Sequence, residues 1–133
     1  MAIVFPRTNV GGVSVSRMII GTNWILGYSH TSPAADSLIK HRNCSAQAIS
    51  KMLETFLQSG VDTIMGPFAG NDILIDAVKM AEDNTGKGMI LVDTPIINVD
   101  DNADARKEAE AVIALSKKMA LHFASLTIHL QSS

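Results

Sequence analysis

The stretch "SAQAISKMLETFLQSGVDTIMG", Ser45 to Gly66, holds a helix and a strand in one reading frame. Ser45 is a helix N-cap type, because its hydroxyl can accept from an otherwise unpartnered backbone N–H. Ile49, Met52, Leu53, Phe56 and Leu57 then recur at the spacing that lines one helix face, and the pattern runs to about Gln58. Gly60 follows where a left-handed C-terminal residue belongs. "VDTIMG" is short, apolar and rich in β-formers, as a covered strand is.

The same grammar continues downstream. Asn71 caps a second helix with Leu74, Ile75, Val78 and Ala81 inward, ending near Asn84 to Gly86. "GMILVDTP" is a strand. Asp101, Asn102 or Asp104 caps a third helix with Ala109, Val112, Ile113 and Met119 inward, and "FASLTIHL" is a last strand. Strands alternating with helices are the pattern of parallel α/β folds, and their crossovers are right-handed.

Upstream, "AIVFPRTNVGGVSVSRMIIG" reads as a hairpin leading into a strand, with Asn9 and Gly11-Gly12 as turn residues. Met18-Ile19-Ile20, closed by Gly21, is expected to be covered on both faces. Thr22 to Cys44 is a long connection with a short helix expected around Ala34 to Lys40. Connections of that length are often functional. Residues 1–133 form one structural unit, with no linker or low-complexity stretch. A doubly wound sheet is the alternative to a barrel, but "GPFAG" lacks the spacing of a dinucleotide fingerprint, and no P-loop pattern occurs.

Composition removes several function classes. Hydrophobic residues are 47% and charged residues 18%, which excludes a disordered chain. A net charge of -2 without a basic run gives no footprint for nucleic acid or an anionic membrane, and 5% aromatics leave no base-stacking platform. Cys44 is the one cysteine, so no internal disulfide and no cysteine-based zinc site forms. The expectation is a cytoplasmic protein with no membrane span.

With these segments in place, the chain resembles the aldo/keto reductases. "VGGVSVSRMIIGTNWILG" is similar to the family's opening hairpin, Val-Ser-Arg and first barrel strand. "LQSGVDTIMGPFAGNDILIDAV" is similar to its second unit, and "LTIHLQ" to its fourth strand, which ends in Ile-His. The resemblance spans most of this chain but only the first half of the family's (β/α)8 TIM barrel. It implies a fold of parallel βα repeats forming that half barrel, preceded by a β-hairpin. It also places the family's catalytic Asp near Met65, its Tyr near Gly70 and its Lys near Asp93 or Thr94. Only the His position, His129, matches. A nicotinamide-dependent reduction needs a held cofactor and a proton donor, so no reductase activity is expected of this chain and no cofactor is assigned.

In such a barrel the C-terminal strand ends form the functional face. Here they carry Thr22, Asn23 and Trp24, then Met65 to Phe68, then Asp93, Thr94 and Pro95, then His129 and Gln131. Asp93 and His129 are the candidate acid–base pair, since a carboxylate can orient an imidazole and raise its basicity. The plainer reading has Asp93 fixing a loop and His129 bonded to a carbonyl. Asn23, Trp24, Thr94 and Gln131 are the candidate substrate-binding residues. A metal held by Asp93, His129 and Asn23 lacks a third strong ligand, even with His30, His41 or His122 drafted, and none is assigned. Trp24 and Tyr28 read as an aromatic wall or as packing. Cys44 and the methionines Met52, Met80 and Met119 read as ordinary packing residues.

Half a barrel leaves open strand edges and an apolar inner face, which do not persist uncovered in water. Two outcomes are expected: self-association through those faces, or a partial chain completed by the missing half barrel. The functional expectation is a partial barrel whose parent takes a small-molecule ligand at the C-terminal face. The alternative is a non-catalytic scaffold or oligomerisation module.

Overall fold

A computed structural model describes residues 4–127. The chain opens with a two-stranded antiparallel hairpin, β1 (Arg7–Val10) and β2 (Val13–Ser16). Gly11 and Gly12, at φ 54° and 81°, make the two-residue turn, a backbone that β-branched residues resist. Buried Ser16 bolts the hairpin to the sheet. Its N–H donates to Thr63 Oγ1 at 3.1 Å, and its Oγ donates to the Met18 carbonyl at 2.7 Å. Arg7 adds an ion pair to Asp62 at 2.9 Å.

The sheet itself is parallel and four-stranded: β3 (Ile19–Gly21), β4 (Thr63–Gly66), β5 (Ile90–Asp93) and β6 (Ala124–Thr127). The strands lie side by side in chain order. Between β3 and β4 run α1 (Asn23–Leu26), α2 (Pro33–Arg42) and α3 (Ala46–Gln58). α4 (Asp72–Thr85) joins β4 to β5, and α5 (Ala103–Ala120) joins β5 to β6. Each long helix begins on the capping chemistry its sequence offers. Ser45 Oγ accepts from Ala48 N–H, Asn71 Oδ1 from Leu74 N–H, and Asn102 Oδ1 from Ala105 N–H. Of the three capping candidates before α5, Asn102 holds the position.

The register shows which face the helices cover. Ile20, Ile64 and Leu91 are direct neighbours across β3, β4 and β5. All three are buried in a single core cluster with Ile49, Leu53 and Leu57 of α3, Leu74 and Val78 of α4, and Met119 of α5. The three long helices therefore pack on the same side of the sheet. Each fully buried aliphatic side chain there contributes about 1.5–3 kcal/mol.

Three sequence expectations need correction. The Met18–Ile20 run is not covered on both faces: Ile20 is buried, but Met18 is 50% exposed and Ile19 43%. β3 is an edge strand, and Ile19 points away from the helices. The inward face expected for α5 is also incomplete. Met119 is buried, but Ala109, Val112 and Ile113 are only half-buried, and the fully covered α5 positions include Ala105 and Ser116. The connection from Thr22 to Cys44 holds two helices rather than one, and the second runs longer than its pattern suggested. No helix among the described residues is long and apolar enough to cross a membrane.

Candidate functional site

The C-terminal ends of β4 and β5 are tied together by hydrogen bonds from backbone N–H groups. Thr94 N–H donates to the Gly66 carbonyl at 3.0 Å, and Phe68 N–H donates to Asp93 Oδ1 at 2.9 Å. Phe68, fully buried, anchors the turn, and its carbonyl accepts from Asn71 N–H, the residue that caps α4. The second Asp93 oxygen, Oδ2, accepts from Ser116 Oγ of α5.

Strand alternation explains this placement. Side chains two apart share a face, so Asp93 points to the same side as Leu91, into the helix layer. A fully buried carboxylate is tolerated there because donors meet both of its oxygens. Gly66, two residues beyond Ile64 on the same face, has its place filled by Thr22. A Cβ on Gly66 would fall within 3.0 Å of Thr22 Oγ1, Cγ2 and Cβ.

Above these strand ends lies a cleft of about 460 Å³, within the usual range for small-molecule sites. Pro67 and the Thr94–Ile97 segment, which follow β4 and β5, line it. Asn23, Leu26, Tyr28 and His30, from the long connection after β3, complete the lining. A neighbouring cavity of about 520 Å³ shares Leu26, Tyr28, Pro67 and Ile96 and reaches Asn71 and Asp72 at the start of α4.

The wall carrying Tyr28 and His30 is held by a compact polar knot. Ser29 N–H and Ser29 Oγ both donate to Asp36 Oδ1, at 2.7 and 2.6 Å, and Ser29 Oγ lies 2.8 Å from Thr31 Oγ1. These Ser29 hydrogen bonds, with Lys40 and His30 nearby, hold the Asp36 carboxyl below its ordinary value of 3.8. Lys40 Nζ stands 5.7 Å from the Tyr28 ring centre, a cation–π distance. His30 sits at φ 57°, the one positive-φ residue other than glycine among the described residues. Its Nε2 is 3.0 Å from Asn23 Nδ2.

The sequence candidates separate accordingly. Asn23 and Thr94 line the cleft together. Trp24, 61% exposed on α1, is not among the lining residues, so Tyr28 alone supplies the aromatic wall. Asp93 sits behind the cleft, occupied by Phe68 and Ser116. His129 and Gln131 lie outside the described residues. His30, considered in the sequence only as a spare metal ligand, is the polar lining residue that spacing does not reveal. Its signal is a histidine in a Ser-Pro-rich loop between two hydroxyl residues. Among the described residues no group of three His, Cys, Asp or Glu side chains converges. Met65 and Gly70 are a half-buried thioether and an exposed glycine at φ 78°.

Comparison with protein-family models, with curated proteins and with solved structures matches nothing to this chain.

Proposed function

We propose that this chain is half of an aldo/keto-reductase-like (β/α)8 barrel that binds a small polar molecule at the C-terminal ends of its strands. By itself it does not reduce carbonyl compounds. The observation that carries the binding reading is the cleft that Asn23 and Thr94 line together with apolar Leu26, Pro67, Pro95, Ile96 and Ile97. The barrel reading is supported by strand order. Parallel strands side by side in chain order, with the three long helices packed on one side, fit a barrel, whereas a doubly wound sheet reverses direction and covers both sides.

The absence of reductase chemistry follows from residue types. Met65 and Gly70 stand near the family's acid and phenol positions and cannot transfer a proton. Asp93 stands near the ammonium position and is committed to Phe68 and Ser116. We assign Asp93 a positioning role, holding the loop that floors the cleft, and keep His129 as the matching acid–base position of the assembled barrel.

A thermal-shift series with sugar phosphates, small hydroxy compounds and NADPH tests this, alongside NADPH oxidation with carbonyl substrates. A binder raises the melting temperature by mass action. At least one small polar compound is expected to do so, with no carbonyl-dependent NADPH oxidation. A panel without any shift overturns the binding reading, and carbonyl-dependent oxidation overturns the other.

A second reading, an association module, is favoured by one observation: Met18 and Ile19 are large apolar side chains left open at the β3 edge.

A further inference from the structure

We propose that His30 is the specificity-determining residue of the cleft, donating through Nδ1–H to an acceptor on an uncharged ligand with an apolar body. This deepens the small-molecule reading above and rests on it. The starting point is the backbone. A non-glycine residue in the left-handed region stays there only when its surroundings hold it, and such residues gather at ligand sites. At His30 the hold is visible on both sides: Ser29 is tied by two hydrogen bonds to Asp36, and the ring is met by Asn23.

The Asn23 contact also sets the ring's chemistry. The amide Nδ2 donates to Nε2, so Nε2 accepts and a neutral ring carries its proton on Nδ1. No hydrogen bond from Nδ1 to a protein acceptor occurs among the described residues. Nδ1–H is thus a donor that a ligand carbonyl or hydroxyl oxygen can use, in a lining that also carries the Tyr28 and Thr94 hydroxyls and the second Asn23 amide N–H.

Ligand charge follows from the rest of the lining. None of the nine lining residues is Asp, Glu, Lys or Arg. A ligand with a full charge would lose hydration without gaining a counter-ion, which is costly. Leu26, Pro95 and Ile97 offer apolar contact instead. The class that fits is an uncharged amphipathic molecule, with an amide, ester or hydroxyl head on an aliphatic or aromatic body.

The test uses the full chain and four probes of one shape: benzamide, benzyl alcohol, benzoate and benzylammonium. Side-chain 15N shifts of His30 report the tautomer, and Leu26 and Ile97 methyl signals report occupancy. The expected result is a proton on Nδ1, with saturable shifts from the two neutral probes that exceed those from the charged pair. His30→Asn keeps a residue type that tolerates the left-handed backbone. It should preserve the melting temperature and weaken neutral-probe binding by about threefold or more, the scale of one hydrogen bond. A proton on Nε2, or tighter binding of either charged probe, overturns the proposal. Saturable methyl shifts with less than about a threefold loss in His30→Asn overturn the role of His30 but keep the cleft as the site. No saturable shift at either methyl overturns both.

Discussion

Ser116 of α5 donates its hydroxyl proton to Asp93 at the end of β5, across the helix–sheet interface. That bond, with the one from Phe68 N–H, is what makes a fully buried carboxylate tolerable. Removing the hydroxyl in Ser116→Ala leaves Asp93 Oδ2 short of a donor. The expected loss is about 1–3 kcal/mol of unfolding free energy, read from urea denaturation. Asp93→Ala should lose more, because it removes both the acceptor of Phe68 N–H and the bond across the interface from Ser116. Asp93→Asn should fall between wild type and Asp93→Ala, since its amide oxygen can still accept from Phe68. Equal stability of Asp93→Ala and wild type would show that the carboxylate holds nothing in place.

Gly66 and Thr22 make a second close fit. Thr22 occupies the space where any side chain at position 66 would begin. Gly66→Ala forces the β3 and β4 ends apart, with an expected loss of about 1–3 kcal/mol from overpacking. Shortening the obstacle in Thr22→Ala should return part of that loss in the double variant. The coupling is measured as a double-mutant cycle, and strictly additive effects would mean the two residues do not compete for that space.

How much of the fold is legible in the sequence depends on the range of the forces involved. Ser45 and Asn71 act within one helical turn, so their caps are visible in the sequence. The parallel order of the strands is also local, because each βα unit leads to the next. Asp93 and Ser116 are 23 residues apart, and their bond depends on how α5 lies over the sheet. The sequence therefore shows Asp93 at a strand end but not that it turns to the helices. Register parity decides that, and parity follows from where the neighbouring strand is pinned. His30 is hidden for another reason. Its conformation is imposed by Ser29 and Asp36, one in the loop and one on α2, with no periodic pattern to mark the pair.

The Ser29–Asp36 pair has a pH signature. Hydrogen bonds from Ser29 hold the folded Asp36 carboxyl below 3.8, its ordinary value in an unfolded chain. A depressed folded value means the stabilisation is fully present above about 3.8 and is lost as pH falls through the lower, folded value. Asp36→Asn should therefore be less stable than wild type at neutral pH. The gap should narrow as the melt is repeated at falling pH below 3.8. A gap that stays constant through that range would show that the carboxylate charge has no part in holding the loop.

The open edge of β3 decides between the half-barrel and association readings. Ile19 is 43% exposed on a strand whose outer hydrogen-bonding side has no neighbour among the described strands. Such an edge pairs with further strands unless something covers it. If a second copy supplies that cover, sedimentation should give a dimer at micromolar concentration. Ile19→Lys, which puts a charge on the edge, should then shift the chain to monomer while the helical signal and cooperative melt persist. Ile20→Lys is the contrasting variant, because it buries the charge in the core and should unfold the protein in any assembly state. A monomeric wild type with a cooperative melt removes the association module. The half-barrel reading then predicts that a separately supplied strand-containing partner half raises the melting temperature, and that Ile19→Lys abolishes this rise.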